Sequence, residues 1–562
     1  MSQTTLSRTG HDTDRDPFLD LAGRFEAIPD CPGGVVEILG LQALATPDRP
    51  YLRVGDRSLT FAELDQVVAS RADALRRAGV QRGDRVAYLC DAGFEVVQLL
   101  YAVWRLGAIN VPLNIFLRGK PLEYQLRDSG SETVVVDRSG LETIQPLLAE
   151  LPGVKRIVLT ESDTDEHGLG DIELLPFDQL VGTPDAAAVE PVGAADPAAI
   201  MYTSGTTGMP KGCILSHRYF HHVGREWTAV LELGGDDILL SANPLYHFGG
   251  LIPLMAALVS GIPLVVEPVF SGSQFLPRAN EVGATVSIGM EFLSVGLLSQ
   301  PEGPADRRHS IRTMMLAPVS EQDRNRFYER FGIKLVTDVF GQTECTLMAC
   351  SVVDGKHKPG GAGRPSPWVE LAVLDADGWP VQPGEAGEIV VRPKRPGVMY
   401  DGYWNKPDVT LQTWRGLWHH TGDLGRLDEE GFLFFVDRKN DAIRRRGENV
   451  SSLELEQIIA GHDAVLEAAV VPITVPGEVD ATIKACLVLS GTAELTVEGF
   501  AQYLNDELPY FAVPRFVELM DELPRNASGR VMKFELRERP NDPPVWDLEA
   551  LGLLRTRTNR RD

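Results

Sequence analysis

A segment rich in glycine and hydroxyl residues, positions 201–212, has the clearest capacity for chemistry in this chain. Glycines let backbone N–H groups approach an anion closely, Ser and Thr hydroxyls add donors, and a lysine adds positive charge. The residues that would form this polyphosphate site are Thr203, Ser204, Gly205, Thr206, Thr207, Gly208 and Lys211. The segment differs from a Walker loop, because Lys211 follows Pro210 and no Ser or Thr comes after it. A flexible surface loop is the alternative, and the placement of Pro210 and Lys211 argues against it.

The composition is that of an ordinary globular protein with more than one domain. The chain has 562 residues, which is too long for a single core. Its net charge of −25 argues against nucleic acid or an anionic membrane as a partner. The uncharged run 238–266 is long enough to span a membrane, but prolines and glycines interrupt it, so we expect a buried loop, helix and strand. Six cysteines without a C-x-x-C pair and a polar N-terminus predict a soluble protein of the reducing cytoplasm.

Alternating helix and strand patterns supply the framework for these residues. Thr60 and Glu63 form a capping box, which predicts a helix that ends near residue 79. Strand-like segments then recur between short turns, at residues 85–90, 133–136, 156–159, 238–241 and 263–266. This alternation is typical of an α/β protein with layered sheets.

The pattern changes twice toward the C-terminus. After Arg364, shorter β-like pieces at 369–374 and 387–392 predict a small antiparallel barrel or sheet. From about residue 440 the chain mixes both patterns, with helices at 452–460 and 497–507 and strands at 468–471 and 483–489. We therefore predict a disordered tail (1–17), a large N-terminal domain (18–439) and a smaller α+β C-terminal domain (440–562).

Residues 203–212 resemble the phosphate loop of the adenylate-forming superfamily, which includes acyl-CoA synthetases, adenylation domains of peptide synthetases and luciferases. Other motifs of that family follow in its order, so the resemblance covers about residues 35–540. Residues 243–250 resemble the gate where acid, α-phosphate and thiol meet, which implies a role for His247; a satisfied core histidine is the alternative. The resemblance also implies that the C-terminal domain is a mobile lid on an adenylate-binding domain.

Residues 316–318 and 338–344 resemble the adenine and metal segments of the family. The residues that this implicates are Ala317, Pro318, Asp338, Phe340, Gly341, Thr343 and Glu344. By resemblance, Phe340 would stack on the purine, and Asp338 and the backbone around Ala317 would bond its edge. Thr343 would touch the phosphate and Glu344 would hold Mg²⁺, a hard cation that needs carboxylate oxygen. The family usually has tyrosine at the position of Phe340, which keeps the stacking face.

Two further motifs resemble the ribose site and the lid loop. In residues 418–423, Asp423 would accept from both ribose hydroxyls, and Arg438, at a hinge with Asn440, would also reach the ribose, although a surface charge cluster is the alternative. Residues 444–451 resemble the loop that lines the pantetheine tunnel, most like that of carnitine/crotonobetaine-type CoA ligases. The residues implied there are Arg445, Arg446, Gly447 and Glu448. The arginines would suit the phosphates of CoA, or they could form a solvated strand edge.

Residues 524–533 resemble the last motif of the family, with one departure. The family places a lysine after the glycine, where it bridges the carboxylate and the α-phosphate, and this chain has Arg530. A planar guanidinium is wider than an ammonium, and a misplaced charge at such a transition state can cost on the order of a thousandfold in rate. In the family the lid then turns and brings in the loop around Gly447, so Arg530 is expected to impair adenylation and to spare thioester formation. Lys533 is a candidate substitute, although a basic residue there often lacks that duty.

These motifs together predict an acyl-CoA ligase that makes a CoA thioester from a carboxylic acid by way of an acyl-adenylate, with ATP/AMP, Mg²⁺ and coenzyme A as cofactors. A chain limited to the thioester step would receive its adenylate from a separate adenylating enzyme. The alternatives are a complete two-step ligase in which Arg530 suffices and a non-catalytic protein that binds acyl-adenylate. Small residues at Gly249, Gly250, Ser287 and Gly289 suggest room for a bulky acid. Both a monomer and a homodimer stay open.

Overall fold

The computed structural model describes most of the chain, in segments separated by short gaps. The described residues are 16–161, 169–183, 191–203, 209–317, 319–375, 377–438, 443–445, 448–450, 452–475, 478, 480–491, 495–524, 531, 533–541 and 544–555. Several predicted site residues therefore lie outside the described residues, namely Ser204, Gly205, Thr206, Thr207, Gly208, Pro318, Arg446, Gly447 and Arg530, and so does Asn440 of the predicted hinge. Most of the predicted tail, residues 1–15, also lies outside them.

The helices and strands alternate along most of the chain. The helices are α1 (Leu21–Glu26), α2 (Val35–Ala45), α3 (Phe61–Arg77), α4 (Phe94–Arg105), α5 (Gly119–Ser129), α6 (Arg138–Ile144), α7 (His217–Val230), α8 (Phe248–Ser260), α9 (Gly272–Val282), α10 (Glu291–Leu298), α11 (Glu321–Phe331), α12 (Pro407–Thr413), α13 (Ser452–Ile459), α14 (Val497–Glu507) and α15 (Lys533–Glu538). The strands as far as residue 350 are β1 (Pro50–Val54), β2 (Arg57–Thr60), β3 (Arg85–Leu89), β4 (Ile109–Pro112), β5 (Thr133–Val136), β6 (Arg156–Leu159), β7 (Glu173–Pro176), β8 (Pro197–Thr203), β9 (Lys211–Ser216), β10 (Leu239–Ser241), β11 (Leu264–Val266), β12 (Val286–Met290), β13 (Thr313–Ala317), β14 (Lys334–Val336), β15 (Val339–Gln342) and β16 (Cys345–Cys350). The later strands are β17 (Arg364–Pro365), β18 (Val369–Leu374), β19 (Gly387–Pro393), β20 (Gly402–Tyr403), β21 (Trp414–Arg415), β22 (Trp418–Leu427), β23 (Leu433–Arg438), β24 (Ile443–Arg445), β25 (Glu448–Val450), β26 (Val465–Ile473), β27 (Thr482–Leu489), β28 (Phe516–Met520) and β29 (Trp546–Asp547).

Two large, mainly parallel sheets form the body of the molecule. One has the strand order β20-β9-β8-β4-β3-β5-β6-β7 and the other β14-β13-β12-β10-β11-β1-β2. Helix α4 is buried along almost its whole length, and the capping box of Thr60 and Glu63 begins α3 as predicted. The layered α/β architecture is thereby confirmed.

The uncharged run 238–266 folds inside the body. It forms β10, the helix α8 with Pro253 within it, and β11, and the side chains of both strands are buried. Pro253 has no N–H to donate to the carbonyl oxygen of Gly249, and that oxygen accepts a hydrogen bond of 3.0 Å from the Asn243 side chain instead. No helix in the described part of the chain combines the length and the apolar character that a bilayer crossing requires.

Smaller antiparallel sheets follow the body. Strands β18, β19, β22 and β21 form one sheet, to which β23 adds beside β22, and β15, β16 and β17 form another. The region after Arg364 is therefore a small antiparallel β structure, as its short apolar pieces predicted.

The C-terminal part from Ile443 onward forms a four-stranded sheet, β26-β27-β28-β29, and the hairpin β24-β25. Side chains alternate between its two faces, as expected for strands with both faces covered. One face belongs to an inner cluster that includes Val470, Ile483, Ala485 and Leu487. The other face belongs to an outer cluster that includes Ala469, Val471, Cys486 and Val488. We refer to this α+β unit as the lid.

Candidate active site

The predicted phosphate loop connects two antiparallel strands, β8 and β9. The last pair of residues in their register is Thr203 and Lys211, so these two residues close the loop at its base. The Lys211 Nζ lies 5.1 Å from the centre of the Tyr403 ring. Burial lowers the pKa of Lys211, and the nearby carboxylate of Glu344 opposes that shift. The structure thus brings the lysine of the loop and the predicted metal ligand together.

Glu344 is buried beside the base of this loop. Its Oε1 accepts a hydrogen bond of 2.7 Å from the hydroxyl of Tyr403. Burial, reinforced by the charge of Glu344, raises the pKa of Tyr403, so the phenol stays protonated and donates. Sequence reasoning missed Tyr403, because 59 residues separate it from Glu344. Among the described residues, no group of three or more His, Cys, Asp or Glu could hold a metal by itself. Glu344 is a single buried carboxylate, and Mg²⁺ usually combines one or two carboxylates with phosphate oxygens, so this residue fits its predicted role.

Strand β15 is tightly packed at Gly341, just before its turn into β16. A Cβ atom there would lie 1.7 Å from the carbonyl oxygen of Thr346, so only glycine fits. The hydroxyl of Tyr219 donates to the carbonyl oxygen of Thr343 at 2.8 Å and lies 2.8 Å from the Thr346 hydroxyl. These contacts fix the backbone that carries Thr343 and Glu344.

The two predicted ribose residues lie opposite each other. Asp423 of β22 pairs with Arg438 of β23 in the antiparallel register. The Gln342 side chain donates to Asp423 Oδ2 at 2.8 Å and to the carbonyl oxygen of Thr421 at 2.9 Å. Gln342 thereby links the metal segment to the ribose segment. Sequence analysis did not assign it a role, because its partner is 81 residues away.

The carboxylate of Asp338, which is predicted to lie at the edge of the purine, forms hydrogen bonds with two neighbouring side chains. His357 Nδ1 lies 2.7 and 2.8 Å from the two carboxylate oxygens of Asp338, and the Thr337 hydroxyl donates to Oδ1 at 2.9 Å. The other ring nitrogen of His357 contacts Glu321. Phe340 is also buried, and its ring centre lies 6.4 Å from that of Phe435, which is half exposed. Sequence reasoning did not find His357 or Phe435.

His247 caps the N-terminus of α8 and faces a cavity. Its Nδ1 accepts a hydrogen bond of 3.1 Å from the backbone N–H of Gly249. A neutral ring that accepts at Nδ1 carries its proton on Nε2, which is then a donor. The cavity has a volume of about 130 Å³ and lies between the body and the lid. Its lining includes Thr203, Tyr246 and His247 from the body and Val450, Leu455 and Phe511 from the lid.

The suggested room for a bulky acid is not found at the small residues. A Cβ on Gly250 would lie 2.1 Å from the carbonyl oxygen of Pro244, and one on Gly289 would lie 2.5 Å from a methyl group of Leu293. Ser287 is fully buried and donates to the carbonyl oxygen of Leu240 at 2.8 Å. For Gly250, Ser287 and Gly289 that expectation was wrong, because these residues are small to allow close packing and not to leave space.

The lid presents its inner cluster to the cavity. Val450, which lies within the predicted tunnel loop, and Leu455 line the cavity and belong to that cluster. Leu523 precedes the predicted motif 524–533 and Val531 belongs to it, and both pack with the outer cluster on the opposite face of the sheet. Lys533 is also occupied elsewhere, because its Nζ lies 2.7 Å from both Ser452 Oγ and Glu456 Oε1.

Arg445 departs from one of the two alternatives raised by the sequence. Its side chain is buried, and Nη1 donates to the carbonyl oxygen of Val513 at 3.0 Å. The buried side chain contradicts the solvated strand edge, and in this structure Arg445 joins two parts of the lid. A buried arginine keeps its charge and needs hydrogen-bond acceptors, which backbone carbonyls supply. A run of charges in the sequence did not reveal this.

Comparison with known proteins identifies the family to which this chain belongs. The family model for AMP-binding enzymes matches residues 40–404, and the model for the AMP-binding enzyme C-terminal domain matches residues 454–530. The chain is 32% identical to feruloyl-CoA synthase from Amycolatopsis sp. over 511 residues, which cover 89% of this chain and 97% of that protein. It is 30% identical to crotonobetaine/carnitine–CoA ligase from Citrobacter koseri over 495 residues, 86% of this chain and 93% of that protein.

One relative of this chain has been solved with two different ligands, and the two structures differ in their TM-score to this chain. A double mutant of o-succinylbenzoate CoA synthetase from Bacillus subtilis, bound with its product analogue OSB-NCoA, has a TM-score of 0.78 at 27% identity and covers 91% of this chain and 99% of its own. The same enzyme with the acyl-adenylate intermediate OSB-AMP has a TM-score of 0.64 at 28% identity and the same coverage. The two forms of this relative therefore share the fold of this chain, with a higher TM-score for the form with the CoA product analogue. The chain belongs to the adenylate-forming AMP-binding enzymes and is an acid–thiol ligase.

Proposed function

We propose that this acyl-CoA ligase is specialised for the second half of the reaction, the transfer of an acyl group from an acyl-adenylate to CoA. In that step the CoA sulfur bonds to the acyl carbon, the bond from that carbon to the AMP oxygen breaks, AMP leaves, and the thiol proton goes to water. The cavity that contains His247 and Thr203 is the proposed meeting point of thiol and adenylate.

The observation that carries the proposal is the face that the lid presents. Val450 and Leu455 line the cavity, whereas Leu523 and Val531, which flank the segment with Arg530, pack on the opposite face of the lid sheet. By resemblance to the family, thioester formation requires the face with Val450 and Leu455 at the cavity, and adenylate formation requires the face with Leu523 and Val531. The arrangement therefore suits the step for which the chain retains the family pattern.

The nucleotide side of the site would bind the AMP half of the adenylate. We assign the ribose hydroxyls to Asp423 and Arg438, which pair across two strands, and the phosphate to the loop closed by Thr203 and Lys211. The purine would lie against Phe340. Mg²⁺, where it is bound, would be held by Glu344 and would neutralise phosphate charge.

Arg530 is the proposed reason for the specialisation. An ammonium is compact enough to lie between a carboxylate and a phosphate, but a guanidinium is planar and prefers side-on contacts. Lys533 does not substitute for the family lysine in this arrangement, because Ser452 and Glu456 hold it. On this proposal a separate adenylating enzyme supplies the acyl-adenylate.

The test is a comparison of the two half-reactions. We expect purified protein with synthetic acyl-AMP and CoA to release thioester and AMP, and to catalyse acid-dependent ATP–pyrophosphate exchange at least about a hundredfold more slowly. Arg530→Lys should raise exchange by at least about tenfold and leave the thioester step within about twofold. Arg525→Lys, in the same motif, is the matched control and should change neither rate.

Two other outcomes of this test would each support one of the alternative functions. Exchange in the unaltered protein as fast as its thioester step would show a complete two-step ligase. Binding of acyl-AMP without any release of AMP in the presence of CoA would show a non-catalytic binding protein. The acid can be sought by thermal stabilisation, starting from ferulic, 2-succinylbenzoic and crotonobetaine-type acids, because relatives are named for them.

A further inference from the structure

Two apolar residues of the body are inserted into the core of the lid. Ile115 and Phe116 follow β4, yet they are only 3% and 7% exposed and belong to the inner cluster of the lid. Residues that bury this much apolar surface against another domain contribute directly to the preference for one domain arrangement.

The ring of Phe116 touches both the lid and the segment that carries His247. Its centre lies 4.6 Å from that of Tyr510 and 6.2 Å from that of Phe511, at interplanar angles of 70° and 88°. It also lies 6.4 Å from the ring of Tyr246, at 86°. Such edge-to-face contacts are the favourable geometry for aromatic pairs. Phe116 therefore connects the lid to the residue that precedes His247.

The loop that carries Phe116 is firmly held. Asn114 Oδ1 accepts from the backbone N–H of Phe116 at 2.9 Å, and the carbonyl oxygen of Asn114 accepts from that of Leu117 at 3.0 Å. Arg118 Nη1 donates to the carbonyl oxygens of Ile115 and Leu117 at 2.9 and 2.7 Å. A loop fixed by its own hydrogen bonds can act as a rigid support, because it loses little conformational freedom when the lid docks.

We propose that Phe116 is a positioning residue for the thioester step, which locks the lid with its inner cluster over the cavity. This rests on the proposed function. The inner and outer clusters lie on opposite faces of the lid sheet. An arrangement that brings the outer face to the cavity therefore moves Tyr510 and Phe511 away from Phe116. The ring stabilises one arrangement only, and its removal shifts the population away from that arrangement.

The first test separates turnover from binding. Phe116→Ala should lower kcat for thioester formation from supplied acyl-AMP and CoA by at least about tenfold, and Phe116→Leu by less, because it restores apolar burial without the ring contacts. The affinity for an acyl-AMP mimic should stay within about twofold in both variants. Phe275→Ala is the control, because Phe275 is similarly buried but lies in a separate cluster of the body. We expect this variant to be less stable than the unaltered protein without a selective loss of kcat.

The second test measures the lid without catalysis. All six native cysteines are buried, so dyes can be attached to cysteines introduced at Leu44 in the body and Leu466 in the lid, which are 84% and 61% exposed. Single-molecule energy transfer should show one main distance, with a second population that grows in Phe116→Ala. An unchanged distance distribution in that variant, or thioester formation at the original rate, overturns the lock. If the unaltered protein forms no thioester, the proposed function fails, and the distance measurement still decides whether Phe116 locks the lid.

Discussion

The two sides of the cavity are built by different kinds of interaction. On the nucleotide side, Gln342, Asp423, Glu344 and Tyr403 are fixed by hydrogen bonds of 2.7 to 2.8 Å, each of which has a direction. On the lid side, residues such as Leu455 belong to an apolar cluster, in which contact is non-directional. Directional bonds hold one geometry against displacement, whereas apolar faces can separate and meet again. If nucleotide binds on the first side and the lid turns, as proposed, then the rigid side holds the ligand and the moving side is held by contacts that can be released.

The largest effect on the free energy of unfolding is expected from a substitution at Gly341, where the hydrogen-bonded side of the cavity is most closely packed. Gly341→Ala places a Cβ atom 1.7 Å from the carbonyl oxygen of Thr346, so the turn that carries Glu344 must shift. We expect a loss of about 4 kcal/mol or more in the free energy of unfolding, measured by denaturant titration. Gly40→Ala is the control, because Gly40 lies within α2 with open space around it; it should stabilise the protein by about 1 kcal/mol.

A smaller effect is expected when one side chain on each side of the cavity is replaced by a side chain of similar volume. Asp423→Asn keeps the volume but removes a charged acceptor, so the affinity for AMP should fall about tenfold to a hundredfold, or about 1.4 to 2.8 kcal/mol, by calorimetry. Leu455→Met keeps apolar volume on the lid side and should change that affinity by less than about twofold. Equal losses from the two exchanges would contradict the division between a directional and a non-directional side.

A third effect, spread over several pH units, concerns the pH dependence of the predicted nucleotide side. Burial lowers the pKa of His419, which lies near Glu344, to about 4 from its ordinary 6.5. The unfolded chain then binds more protons than the native state between pH 6.5 and 4, so native stability falls as the pH falls through that range. His419→Phe should flatten this fall by up to about 1.4 kcal/mol per pH unit, measured as unfolding midpoints against pH. An unchanged slope would mean that His419 does not contribute to acid sensitivity.

The sequence predicted local features of the fold well. The capping box at Thr60, the strand before the phosphate loop and the helices of the lid depend on neighbouring residues, and the structure has all of them. The strands of the lid were predicted too short, at 468–471 where β26 spans Val465–Ile473. Strand ends depend on partners that periodicity does not reveal.

The residues that support the site were not predictable in the same way. Tyr403 and Gln342 act on groups 59 and 81 residues away, and no spacing rule connects such pairs. Arg445 lies in a run of charges that suggested solvent or phosphate, but its acceptor is a carbonyl 68 residues further on. Motifs show which groups do chemistry, whereas the partners that orient those groups are set by tertiary packing.

The pairing of β22 with β23 has one more consequence. β23 ends at Arg438, opposite Asp423, and the lid begins only a few residues later, at Ile443. On the proposed function, the strand opposite Asp423 would contact the ribose and would also be the last strand of the body before the lid. Bound AMP would then order the segment from which the lid turns, so we expect release of AMP and renewed turning of the lid to be coupled.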